Sequence, residues 1–249
     1  MEKLIYALWR KPGQPREAFN AALLGEVADR VGPLVRGLRI NVQDATVAEG
    51  TSPRLAATDP QMDAFAQLWL DCASPDGRAP VETALASAAS RVEGWLVCEA
   101  TVIANETCPP GNPTEGFSQI AVLQKPSGLD RETWRDNWQN GHSQIAIDTQ
   151  RTFEYVQNLV VRPVTETAGP YAAIVEECFP MDALTDVAVY FDGVGDADAL
   201  AANVQRMMES CAEFMEMSGC DCVPMRQYEC KSLLGGSAPS GNGSDSGRR

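Results

Sequence analysis

Trp134, Trp138 and His142 recur at steps of four inside the stretch 131–148, and they are the side chains best placed to do chemistry. Steps of three or four return to nearly the same side of an α-helix, so two indoles, an imidazole and Ile145 fall in one stripe. His142 is the single histidine of the chain. An unperturbed imidazole titrates at about pH 6.5 and can accept or release a proton near neutrality, which suits it to general acid or base work. Trp134, Trp138 and Ile145 would then form the apolar wall that binds a substrate. Tyr190 could offer its phenol to a substrate oxygen as an oxyanion stabiliser, with Tyr6 and Tyr171 as further phenols for such a contact. The plainer account of the same residues is a histidine hydrogen-bonded near a helix end and tryptophans that pack a core.

Composition narrows the classes of partner. The chain has 249 residues, 44% of them hydrophobic, enough for one large domain or two small ones. A formal charge of −14 argues against nucleic acid and against an anionic membrane surface, since both demand clustered Lys and Arg. No run of about 18 apolar residues occurs and the first segment is strand-like, so neither a membrane span nor a signal peptide is expected, and the expected location is the cytosol. Cysteines 72, 98, 108, 178, 211, 220, 222 and 230 lack the paired spacing of a zinc site. With one distant histidine, no metal site is expected and the thiols read as buried or edge-strand residues. Met207, Met208, Met215 and Met217 read as core filling.

The elements that must position His142 fall into two similar runs. The first has a strand at 3–10, a helix from 15 or 16 that carries Phe19, Leu23, Val27 and Val31 on one side, a strand within 34–47 and a polar loop at 48–61. A strand at 64–71, a helix from 78 or 80 to 92 and a strand at 95–103 complete it. Beyond a Pro- and Gly-rich segment at 105–116 the order returns: strand 117–124, helix 131–148 capped by Asp130, strands 153–164 and 186–192, helix 197–216 and strand 222–230. Lys125-Pro126 restates Lys11-Pro12 and Arg131-Glu-Thr-Trp134 restates Arg16-Glu-Ala-Phe19, an internal repeat offset by about 115 residues.

Two βαββαβ runs predict an α+β fold made of two ferredoxin-like units, 1–104 and 117–234, with 105–116 as linker and 235–249 as a tail too rich in Gly and Ser to order. Strand 3–10 is apolar on both faces, so each sheet needs a cover on the side away from its helices. Packing the two units sheet to sheet supplies it and encloses a barrel-like core within one chain, which is therefore expected to be a monomer.

The Lys-Pro turn after the first strand, the helix with Trp134, Trp138 and His142, and the Tyr-Phe-Asp run at 190–192 resemble the EthD family of the dimeric α+β barrel superfamily. The resemblance is good over 117–232 and weaker over 3–103. It implies two EthD-type units in one chain, an intramolecular dimeric α+β barrel, and chemistry without a metal or organic cofactor. Relatives of this kind include an ether-degradation protein of a haem monooxygenase system, polyketide cyclases, dehydratase- or decarboxylase-like proteins and quinone-forming monooxygenases. In the first unit Val27 takes the place of His142, and Phe19 and Leu23 those of the tryptophans, so one working pocket is expected and the first half reads as a scaffold, or as a binder without imidazole chemistry.

The favoured expectation is a cofactor-independent lyase or isomerase, working by dehydration, cyclisation or decarboxylation on a hydrophobic carbonyl or aromatic compound, with His142 as general acid or base. Two alternatives stand beside it: a non-catalytic accessory protein that binds a hydrophobic ligand, and cofactor-free oxidation by dioxygen.

Overall fold

The computed structural model describes residues 1–48, 50, 53–105 and 112–233. The expected tail at 235–249 and the middle of the expected linker, 106–111, lie outside the described residues. Eight strands form from the apolar runs: β1 (Glu2–Arg10), β2 (Gly37–Val42), β3 (Ala64–Leu70), β4 (Ala89–Ile103), β5 (Phe117–Leu123), β6 (Glu154–Pro163), β7 (Ala173–Phe179) and β8 (Asp221–Lys231). They are joined antiparallel into a closed barrel in the order β1-β3-β2-β8-β5-β7-β6-β4. Closure leaves no sheet edge exposed.

The expected face-to-face pair of sheets is thus one ring. The four strands of each half meet those of the other edge to edge, through β2 with β8 and β4 with β6. Strands apolar on both sides suit this arrangement, because one face fills the lumen and the other takes helices. Ile5, Trp9, Phe65, Trp95, Ile120 and Val223 pack inside the ring. Outside it, Leu4, Tyr6, Leu38 and Leu68 meet the apolar stripe Phe19, Leu23, Val27 and Val31. That stripe runs through α1 (Arg16–Ala22), a π turn (Leu23–Val27) and α2 (Ala28–Val31), beside α3 (Pro75–Ala88).

The second half repeats the device. Asp130 caps α4 (Arg131–Asp136) by accepting from the backbone N–H groups of Glu132 and Thr133, both at 2.9 Å. A π turn (Asn137–His142) then leads into α5 (Ser143–Thr149). Along an α-helix two steps of four drift by about 80°, and a wider turn reverses part of that drift. Trp134, Trp138 and His142 are consequently all buried on the sheet side.

Two expectations fail here. The run at 186–192 is not a strand: Asp186 accepts from the N–H of Ala188 at 2.8 Å and opens a short helix, α6 (Val187–Tyr190). The third strand of the second half is β7, whose adjacent Glu176 and Glu177 give it the look of a solvated segment. The helix expected to reach 92 stops at Ala88, and 89–94 join β4. Gly94, paired with Tyr6 in the ladder, leaves room for the Tyr6 ring, which a Cβ there would overlap. The last long helix, α7 (Ala197–Ala212), ends short of the expected 216.

One end of the lumen is polar. Arg39 donates to Glu154 Oε1 at 2.6 Å and to Glu176 Oε2 at 2.9 Å, and Glu176 also accepts from Asn41, Gln67, Ser118 and Gln227. Burial opposes the charge on Glu176, yet Arg39 and these donors outweigh it and hold the carboxyl below the ordinary range. Arg39, Asn41 and Gln67 come from the first half and both glutamates from the second, so the network ties the halves together across the lumen.

Candidate functional site

A cavity of about 260 Å³ lies between the outer face of β5–β8 and the helices of the second half. Trp138, Phe191, Met207, Phe214 and Val175 form much of its apolar lining. Its buried polar groups are Gln119 on β5, Tyr155 on β6, Glu177 on β7, Tyr190 on α6 and His142 at the end of the π turn, and the less buried Arg54 and Gln150 also line it.

Gln119 and Glu177 stand opposite each other in the β5–β7 ladder. The Gln119 amide donates to the Tyr190 hydroxyl at 2.7 Å, while its own Oε1 is buried without a partner. Glu177 Oε1 is likewise buried without a partner. Desolvation pushes the Glu177 carboxyl up to about 8, so it is mostly protonated at neutral pH. A buried polar atom with no hydrogen bond costs about 1–3 kcal/mol, which makes two such oxygens in one hollow a functional signal. Burial, with the nearby Glu177 charge, also raises the Tyr190 phenol well above its usual range.

His142 lines the cavity beside Trp138. Its Nδ1 is 2.9 Å from Ser210 Oγ on α7 and its ring packs 4.6 Å from that of Phe214. Burial lowers its pKa to about 4, so the ring is neutral across the physiological range. Of the other residues singled out by sequence, Trp138 and Tyr190 line the cavity. Trp134 stands behind Trp138, ring centroids 5.3 Å apart, with its indole N–H given to Phe214 O at 2.8 Å. Ile145 is half-buried outside the lining, and Tyr6 belongs to the other half, where its hydroxyl donates to Glu82 at 2.9 Å. Tyr171 is also remote, within 3.2 Å of Thr58 Oγ1.

Gln119, Tyr155, Glu177 and the methionines are site residues that no local sequence pattern marks. Met207, Met208, Met215 and Met217, read as core, all border the cavity. A signal for the polar pair does exist in the repeat. In the first half Leu4 faces Leu68 where the second half has Gln119 facing Glu177. Leucines fill the place that is hollow in the second half, so only one half carries this cavity.

The first half is nonetheless more than a scaffold. Residues 53–61, ahead of β3, reach the second half, where Leu55 and Cys222 exchange backbone hydrogen bonds at 3.4 and 2.9 Å. Thr58 and Gln61 hold the buried Asp221 carboxylate at 2.7 and 2.9 Å. Pro53, Arg54 and Leu55 thereby close one side of the cavity.

Among the described residues no group of three His, Cys, Asp or Glu side chains is arranged to hold a metal ion. A haem does not fit either. The cavity beside the lone imidazole, about 260 Å³, falls below the roughly 300 Å³ at which pockets for drug-sized ligands begin. Burial raises the Cys211 thiol to about 12 and the Cys222 thiol higher still, so neither is a thiolate nucleophile.

No family model matches the sequence, and no curated protein matches it. Among solved structures the chain is similar to a proposed monooxygenase from Fusobacterium nucleatum, at 8% identity over 93% of this chain and 97% of that one, with a TM-score of 0.50. The fold is that of the dimeric α+β barrel proteins. Similarity extends to an anthrone oxidase-like protein (9% identity, 95% and 96% covered, TM-score 0.49) and to a dye-decolorizing peroxidase from Bacteroides thetaiotaomicron (8%, 91% and 93%, 0.48). The expectation of a lyase or isomerase is overturned: the Fusobacterium nucleatum protein of like fold is named a monooxygenase. Neutral above about pH 4, His142 has no imidazolium proton to give near neutrality and is a weakened base. No helix among the described residues is long and apolar enough to cross a membrane.

Proposed function

We propose that the protein oxidises a small, flat, apolar molecule with dioxygen, and that Glu177 handles the proton. The observation that carries this reading is the Glu177 carboxyl, buried in an apolar cavity with an unpartnered oxygen beside that of Gln119. A ligand with an enolic or phenolic hydroxyl would donate to Gln119 Oε1 and bring an acidified C–H to Glu177. The carboxylate form removes that proton, and the resulting carbanion gives its electron pair to dioxygen. One oxygen atom stays on carbon as a carbonyl as the second hydrogen is lost; the other oxygen leaves as water with both hydrogens. Trp138 and Phe214 hold the ring and exclude water, which strengthens each charge interaction in the hollow. His142, fixed by Ser210, shapes the wall. The name of the Fusobacterium nucleatum protein supports the direction of the chemistry.

The test is oxygen uptake measured with an electrode on a panel of hydroxylated aromatic methylene compounds. Uptake by the wild type that falls at least a hundredfold in Glu177→Gln supports the reading; equal uptake by the two proteins overturns it.

We further propose that the chain is a tandem fusion of two ferredoxin-like units of EthD type, 1–104 and 117–234, that acts as a monomer in the cytosol. The ladder registers support the duplication, since Ile5 faces Gln67 as Ile120, 115 residues on, faces Glu176. Closure of the barrel within one chain supports the monomer, and the free thiols of Cys72, Cys98, Cys178, Cys211, Cys220 and Cys222 support a reducing compartment. Light scattering tests the assembly: a single-chain mass is expected, and an obligate dimer would overturn it.

A further inference from the structure

The cavity has a charged mouth. Of the residues that line it, Arg54 alone carries a fixed positive charge, because His142 is neutral there. The guanidinium is aimed by a chain of contacts. Its Nε and Nη2 donate to Gln61 Oε1 at 3.1 and 2.9 Å, and Gln61 Nε2 in turn donates to Asp221 Oδ1 at 2.9 Å and to Leu55 O at 2.6 Å. The third guanidinium nitrogen, Nη1, makes no hydrogen bond among the described residues. Leu55, next in sequence, is locked to Cys222 of β8. A solvent-exposed arginine of no consequence would not be expected to be anchored through a glutamine to a buried carboxylate of the opposite half.

We propose that Arg54 selects ligands with an anionic group, a carboxylate or its equivalent, at the end of an apolar body. This rests on the cavity reading above and extends it to the polarity of the substrate. An anion cannot enter with its charge inward: the inner end offers oxygens of Gln119, Glu177 and Tyr190 among thioethers and aromatic rings, and an unpaired carboxylate there is prohibitively desolvated. At the rim the same group stays half in water and meets a planar fork of N–H donors matched to a carboxylate. The ligand therefore lies with its ring against Trp138 and its acid under the loop of the first half. On a chain of charge −14, a lone cation at the mouth also keeps the approach of an acid from being repelled throughout.

The experiment measures dissociation constants by calorimetry for naphthoate and for its methyl ester, the same body without the charge. The wild type is expected to bind naphthoate roughly fivefold more tightly, the scale of one exposed charge pair. Arg54→Gln should erase that preference, Arg54→Lys should keep most of it, and added salt should shrink it in the wild type. Equal affinities in the wild type, or a preference that survives in Arg54→Gln, would overturn the role of Arg54. Ala121→Phe, which fills the cavity, separates the two levels of the argument. If it weakens both probes while the wild type shows no charge preference, only the present inference falls. If neither probe binds, or Ala121→Phe changes nothing, the cavity reading falls and takes this one with it.

Discussion

Gln119 and Glu177 face each other across β5 and β7 in the place that Leu4 and Leu68 hold across β1 and β3. Leucines opposite each other on a helix-covered face are what a core requires; an amide and a carboxyl with unpartnered oxygens are what a core avoids. At this pair of positions the second half therefore carries an instability that the first half does not. Replacing Glu177 with Leu should raise stability by about 1–3 kcal/mol, since the desolvated carboxyl vanishes and no hydrogen bond is lost. Urea unfolding reads the gain, and oxygen uptake should disappear in the same variant.

The pH dependence of stability follows from two buried groups that pull in opposite directions. Glu177 holds its proton up to about 8 in the folded chain against 4.5 for an ordinary glutamate, so its contribution to stability falls as pH rises from 4.5 to 8. His142 titrates at about 4 when folded against 6.5 ordinarily, so its contribution is lost as pH falls from 6.5 to 4. Glu177→Gln should flatten the alkaline limb and His142→Gln the acid limb, each measured as the difference in urea midpoint from wild type across pH 4.5 to 8.

Activity should respond to the same carboxyl. Oxygen uptake is expected to rise through an inflection near pH 8 as Glu177 ionises. His142→Gln, which can still meet Ser210, should keep uptake within about tenfold of wild type and leave that inflection in place. An inflection near 6.5 that vanishes with His142 would restore the imidazole as the proton carrier and remove Glu177 from the role.

Arg39 is predicted to matter for folding and not for the ligand. Its replacement by Met strands Glu154 and Glu176 in the lumen without their cation, which should cost about 3–5 kcal/mol in urea unfolding. The loss should be smaller in Arg39→Met combined with Glu176→Gln, because the second change removes one of the stranded charges. Naphthoate affinity should stay at the wild-type value in every Arg39 variant that remains folded.

Much of the architecture is written in local pattern. The two-sided apolar strands, the Asp130 cap and the restated Arg-Glu-x-aromatic starts identify strands, helices and repeat, because each depends on neighbours within a turn or two. What stayed hidden depends on distant partners. The acidic pair Glu176-Glu177 disguises β7 because Glu176 is neutralised by an arginine 137 residues away and Glu177 borders a hollow. The run around Tyr190 has strong strand propensity, and a single aspartate at its head turns it into helix. His142 was legible as unusual from its solitude and spacing; its neutrality was not, for it follows from burial under Phe214 and α7.

The two-way hydrogen bonding of Leu55 with Cys222 means that the wall of the hollow is stitched from both ends of the chain. Parting the halves would unroof the ligand, and by reciprocity an occupied hollow must resist their parting. A tightly held guest should thus raise the melting temperature of the entire ring, not merely stiffen the segments it touches.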